Sequence, residues 1–293
     1  MSLRITIDIF SGRPNPVFEL SGKEAKETLE RLRPARPLSK SEVLTPLESA
    51  LGYRGIVVEQ TGAPVRGLPK LFRAFDGRLY GQRLSHRAAD EDFEEFIVQR
   101  AGRLNVGKGF PDFLRREMTR ARRDFVDLIH PKHHRRPHRH HCHCAPLYEP
   151  QWWNDGWWGQ KQQNNNCYNY STNYRTDTFA QPGRAAGAQS AYPPTCANVR
   201  PAAVADCLID TPSANNKCPK EGHLVALVIA PGWDYHWFRK GRAGYWTHKP
   251  GNGAATDRDS SGNLIPDPRT ANRGPYTIFC TFMVVMHGHI KIK

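Results

Sequence analysis

Residues 223–249 read HLVALVIAPGWDYHWFRKGRAGYWTHK, and the way this stretch folds decides the C-terminal half of the chain. HLVALVIAP is an apolar, β-branched run closed by proline, the pattern of a strand buried on both faces. DYHWFRK and YWTHK then flank a glycine-bearing turn, which spells a hairpin. With KGRAG, residues 240–244, as a five-residue loop, Arg239 pairs with Tyr245 and the register places His236 opposite His248. Facing partners on one side of an antiparallel pair have Cβ atoms about 5 Å apart. A slip of one residue would turn His248 to the other face of the sheet. A further central strand, YTIFCTFMVVM, follows a Gly/Asp/Pro loop from Pro250 to Pro275. In that loop Asp257, Asp259, Ser261 and Asn263 alternate oxygen side chains as a calcium loop does, but no glutamate follows at the twelfth position. A hydrogen-bonded turn is the competing reading there, and Asp257, Asp259 and Asp267 are fallback partners for His236.

The N-terminal part has a different character. Residues 3–9 alternate apolar and polar positions as a strand does, SGRPNP supplies a turn, and LSGKEAKETLERL predicts a helix with Ser21 as N-cap and Glu24 three residues later. YRGIVVEQ and GRLYGQRL read as strands, ADEDFEEFIVQRAG as a helix from near Ala89 to Gly102, and PDFLRREMTRARRDFVDLI as a further helix. The expected organisation is α+β, with an N-terminal α+β module at 1–128 for binding or recruitment, a His/Arg-rich linker at 129–147, and a second domain at 148–293. The first module contains no nucleophile, metal triad or phosphate loop.

Composition narrows the function classes. The 293 residues carry a formal net charge of +14, concentrated in RREMTRARRD and HPKHHRRPHRHH. That balance suits an anionic polymer, whereas the absence of helix-turn-helix or zinc-finger spacing argues against nucleic acid as the main partner. No run reaches the roughly 18 apolar residues of a membrane span. The start, MSLRITIDIFSGRPNP, lacks the features of a secretory signal, so a cytoplasmic protein is the default expectation, with export by a signal-less route as the alternative. All seven cysteines lie between residues 142 and 280, and without a signal peptide free thiols or a metal site are expected ahead of three disulfides. From His130 to Cys144 seven histidines and two cysteines crowd together. His138, His140, His141, Cys142, His143 and Cys144 are candidate ligands for zinc or another transition metal, against the rival reading of a solvated basic linker.

Cys167 is the candidate nucleophile. It follows a Gln/Asn run and opens a short helix, where the helix dipole would lower a thiol pKa. Gln162, Gln163 and Asn166, with Asn164 and Asn165, are candidate amide donors around an oxyanion. Trp157, within WWNDGWW, is a candidate for the substrate groove, although these tryptophans are equally suited to anchoring loops in a core. His236 would act as general base and His248 would orient it.

Cysteine at a helix start, histidine on a strand and a second histidine on the next strand is an order that resembles the papain-like superfamily, most closely its NlpC/P60 branch. The resemblance covers roughly residues 148–293 and implies a papain-like domain with a helix-borne cysteine over an antiparallel sheet. It further implies a cysteine hydrolase or transferase acting on amide bonds, with cell-wall peptides as substrate and no cofactor required. SGRPNP with LGYRG, and NNNCYNY with TFAQPG and WTHKPG, also look like motifs of uncharacterised bacterial proteins. The alternatives are a non-enzymatic binding or structural protein stabilised by metal or disulfides, and a secreted interbacterial effector.

Overall fold

A computed structural model describes residues 1–40, 42, 49–129, 141–156 and 159–293. The chain divides into two compact units, Met1–Ile9, Asn15–Leu47 and Gly52–Arg123 forming the first, and Phe10–Pro14, Glu48–Leu51 and Asp124–Lys293 the second.

In the first unit β1 (Ser2–Asp8), β2 (Val17–Ser21), α1 (Gly22–Arg31), β3 (Pro34–Pro37), β4 (Gly55–Gln60), β5 (Leu71–Phe75), β6 (Arg78–Gly81), β7 (Leu84–Ala88) and α2 (Phe93–Ala101) follow in order, and α3 (Phe110–Ile129) begins there. The described strands pair antiparallel in the order β2-β1-β4-β5-β6-β7-β3. The alternation read at residues 3–9 is real: Leu3, Ile5 and Ile7 are buried, one residue in two. Asp8, the last residue of β1 and on its other face, pairs with Arg54 and Arg73 at 2.6 and 2.7 Å. Burial pushes its carboxyl upward, but the two guanidinium groups outweigh that and hold it below the usual range.

The second unit contains α4 (Gln160–Asn164), α5 (Cys167–Thr172), α6 (Cys196–Ala205), β8 (Ile209–Asp210), β9 (His223–Ala230), β10 (Asp234–Lys240), β11 (Trp246–His248) and β12 (Ile278–Val285). Its described strands pair antiparallel in the order β11-β10-β9-β12-β8. Every residue of β9 and β10 is buried, because this sheet is covered on both sides. Val225, Leu227, Ile229, Tyr235, Trp237, Met283 and Val285 pack on one face with Cys167 and Tyr168 of α5 and Val199 and Ala203 of α6. Leu224, Ala226, Val228, Phe238 and Phe282 pack on the other with Leu51, Trp246, Ile265 and Tyr276. The fold is α+β with antiparallel sheets, as the sequence indicated.

Two details depart from the sequence reading. The hairpin pairs Phe238 with His248 and Lys240 with Trp246, so the loop is 241–245 and the register lies two residues from the expected one. β11 is pinned from its other side as well, by bridges from Trp246 to Ile265 and from His248 to Thr256, and the Gly241 amide closes the turn on the Tyr245 carbonyl at 2.8 Å. The cysteines also differ from the expected free thiols: Cys142 is bonded to Cys218 and Cys196 to Cys280, while Cys144, Cys167 and Cys207 are free.

The disulfides span 76 and 84 residues of sequence, loops whose closure in the unfolded chain is worth about 4.5 kcal/mol each in the chain-entropy account. A Cys196→Ser/Cys280→Ser double variant is therefore expected to lose about 4 kcal/mol in denaturant unfolding. A loss below about 1 kcal/mol would show that α6 and β12 are held by packing alone.

Candidate functional site

The expected catalytic residues all lie in the second unit, but the sheet separates them. Successive side chains of a strand point to opposite faces. Tyr235 and Trp237 of β10 share an apolar cluster with Cys167, so His236 between them points the other way. Its ring meets Phe238, His248 and Tyr276, and both Phe238 and Tyr276 belong to the cluster on the far face. The strand backbone thus stands between thiol and imidazole, and no cysteine–histidine pair forms there. Cys167 is fully buried as well. Burial, followed by the charge of Asp234, drives its thiol well above the ordinary cysteine range, against the pull of the Trp237 amide. At the start of a six-residue helix the dipole does not reverse this.

The two histidines do meet. Because the register is displaced by two residues and not one, both rings stay on the same face, as diagonal neighbours within aromatic reach. His236 Nε2 lies 3.1 Å from His248 Nδ1, and His248 Nε2 lies 2.8 Å from the Arg258 carbonyl. A carbonyl only accepts, so His248 Nε2 carries the proton. In the neutral ring its Nδ1 then accepts from His236 Nε2–H. Both rings are fully buried, and the pair joins β10, β11 and the Arg258 loop.

Of the amides proposed as oxyanion donors, those of Asn165 and Asn166 are engaged elsewhere. Asn166 is the N-cap of α5: its Oδ1 accepts from the Tyr168 and Asn169 amides, and its Nδ2 donates to the carbonyls of Gly12 and Ala180 at 2.8 and 2.7 Å. Asn165 bonds Lys161 and Asp177 through its side chain. Gln162 and Gln163 lie in α4, where their carbonyls accept from Lys249 Nζ and Asn252 Nδ2. Trp157, His138 and His140 fall outside the described residues. Of the remaining proposed metal ligands, the Cys142 sulfur is spent in its disulfide, whereas His141, His143 and Cys144 are exposed. No cluster of three metal-ligating side chains occurs among the described residues. At the calcium-like loop, Asp259 accepts the amides of Ser261, Asn263 and Asn272, which makes it the centre of a turn.

The most concentrated polar site surrounds Asp234, at the start of β10. Its carboxylate accepts the backbone amides of Ser11, Gly12 and Arg13 and the Tyr276 hydroxyl, at 2.5 to 3.3 Å. Burial nevertheless keeps its carboxyl above the usual range. The Gly12 carbonyl in turn accepts from Asn166, Gln181 and Tyr235. A Cβ on Gly12 would come 2.4 Å from the Tyr235 ring, so only glycine fits. The sequence marked SGRPNP as a turn but carried no sign of this site, since its partners lie more than 220 positions away. His223 is a second buried group. Its Nε2–H donates to the Ser171 carbonyl at 2.7 Å, and burial, with Arg239 and His287 nearby, lowers its pKa to about 3.

The chain is 43% identical over 148 residues to the insoluble matrix shell protein 1 of Ruditapes philippinarum, an alignment covering 48% of this chain and 91% of that protein. The chain belongs to the family of that shell matrix protein. No family model and no solved structure matches it. This relationship overturns the reading as a bacterial NlpC/P60-type protein, and with it the cysteine hydrolase and its keywords, because the relative is a shell matrix protein from a mollusc. The cytoplasmic expectation falls on the same finding and on the two disulfides, bonds that persist in oxidising compartments. No helix among the described residues is long and apolar enough to cross a membrane.

Two measurements check the buried groups. Asp234→Ala leaves four donors, three of them buried and one part-buried, without an acceptor, each costing about 1–3 kcal/mol. The variant should be destabilised by at least about 4 kcal/mol in denaturant unfolding, and a loss under about 1 kcal/mol would refute the account. His223 has a folded pKa below its unfolded value near 6.5, so its contribution is present above that pH and is lost as pH falls toward 3. Between pH 6.5 and 5, above the ordinary carboxyl range, stability should drop by about 2 kcal/mol more in the native chain than in His223→Gln. Parallel curves would show that His223 is not the titrating group.

Proposed function

We propose that this chain is a secreted, non-catalytic structural component of an extracellular matrix, a disulfide-tied α+β protein whose basic surface engages anionic matrix polymers. The observation that carries the reading is the 43% identity to a shell matrix protein over nearly all of that protein's length. The site geometry supports it. Cys167, the free cysteine at a helix start, is buried, faces away from the paired histidines and holds its proton. Two residues first weighed for the site instead hold the framework, Asn166 by capping α5 and His248 by tying β10 to the Arg258 loop, and beside them Lys249 Nζ gathers the carbonyls of Gln162, Asn165 and Gly251 at 2.7, 2.5 and 2.6 Å. A net charge of +14 favours polyanions through counterion release and surface potential.

The purified full chain should leave Cys167 unmodified by iodoacetamide under native conditions and hydrolyse no peptide amide. It should also co-sediment with an insoluble polycarboxylate resin at low salt and be released as salt rises. Peptide hydrolysis that disappears in Cys167→Ala would defeat the structural reading, and so would failure to bind the resin at low salt.

A further inference from the structure

Seven cysteines are divided in this chain between two disulfides and three thiols, and the thiols differ sharply in setting. Cys167 is buried, whereas Cys144 and Cys207 are exposed. Cys207 lies at the far end of α6 from Cys196, with no disulfide beside it in the chain. Cys144 stands next to one. It is two residues from Cys142, and its Sγ–H donates to the Lys220 carbonyl at 3.3 Å, two residues from Cys218. The thiol is thus held against both chain segments that the Cys142–Cys218 bond joins. Cys142 is itself anchored by its amide to the Arg242 carbonyl at 2.9 Å and is buried, while Cys218 is half-buried and is the more approachable sulfur.

We propose that Cys144 and the Cys142–Cys218 disulfide form a thiol–disulfide exchange site whose partner is a second copy of this chain. The thiolate of Cys144 in one copy attacks Sγ of Cys218 in another. A Cys144–Cys218 bond forms between the copies as the Cys142–Cys218 bond breaks. Its electron pair leaves on Cys142 Sγ, which takes up the proton that Cys144 gave away. The number of disulfides is unchanged, so no oxidant is consumed. The attacking copy keeps its own disulfide and the attacked copy keeps its own Cys144. Each joined pair therefore still presents one acceptor and one donor, and head-to-tail contacts of this kind extend as open chains. The inference rests on the structural reading above and names the way copies become covalently joined.

The test uses the full chain with both disulfides intact, incubated without dioxygen or added oxidant at about pH 8, close to the ordinary thiol pKa. Samples are quenched with N-ethylmaleimide and separated by electrophoresis without reductant. The expected result is a ladder of dimers and higher multimers that collapses on reduction, with a Cys144–Cys218 peptide pair in the digest. Cys144→Ser should cut the multimers at least tenfold, and Cys207→Ser should leave them unchanged. A chain that stays monomeric, a ladder that survives Cys144→Ser, bridging through Cys207, or a requirement for dioxygen would each overturn the proposal. The two readings fail separately. A monomeric chain that still binds the polycarboxylate resin removes the exchange site alone, whereas Cys167-dependent hydrolysis removes the structural reading and leaves the exchange result standing.

Discussion

The second unit depends on one buried carboxylate. Asp234 stands where the chain enters β10, and the amides of Ser11, Gly12 and Arg13 with the Tyr276 hydroxyl converge on it. A buried carboxylate is costly without such donors, and buried amides are costly without an acceptor, so each side of the contact needs the other. The arrangement also sets what may occupy position 12, because the Tyr235 ring leaves no room for a side chain there.

From that point the sheet sorts side chains by parity. Odd-numbered residues of β9 and β10 meet Cys167 and the helices, and even-numbered ones meet Trp246, Ile265 and Tyr276. His236 has even parity and so shares a face with His248, where the two rings and the Arg258 carbonyl form a hydrogen-bonded series. The same rule keeps His236 away from Cys167. What resembled a catalytic order along the chain is, across the sheet, a buried thiol on one side and an interlocked polar pair on the other. That is the chemistry of a framework, in keeping with the shell matrix relative.

Much of the framework was legible in advance. Period-two alternation at Leu3, Ile5 and Ile7, the apolar run His223–Ala230, and the helix pattern of α1 each depend on neighbours within a few residues. The hairpin was legible up to its register. Glycines at 241 and 244 announce a turn, but whether Tyr245 enters the strand depends on Ile265 and Thr256, residues of the next loop that pair with Trp246 and His248. The oxyanion reading of Asn166 failed for a related reason. An Asn before a helix is equally an N-cap, and its remaining N–H groups went to Gly12 and Ala180, partners that local sequence does not reveal.

By itself the sequence determined the α+β character, the strands that form the buried sheet, the cationic balance and the confinement of cysteines to the chain beyond residue 141, since each follows from composition or short-range periodicity. Only the tertiary structure decided which cysteines pair, which face each histidine takes relative to Cys167, and that Asp234 receives the SGR amides. Those outcomes turn on contacts between residues tens to hundreds of positions apart, where a single step of strand parity decides whether two side chains meet or lie on opposite sides of a sheet.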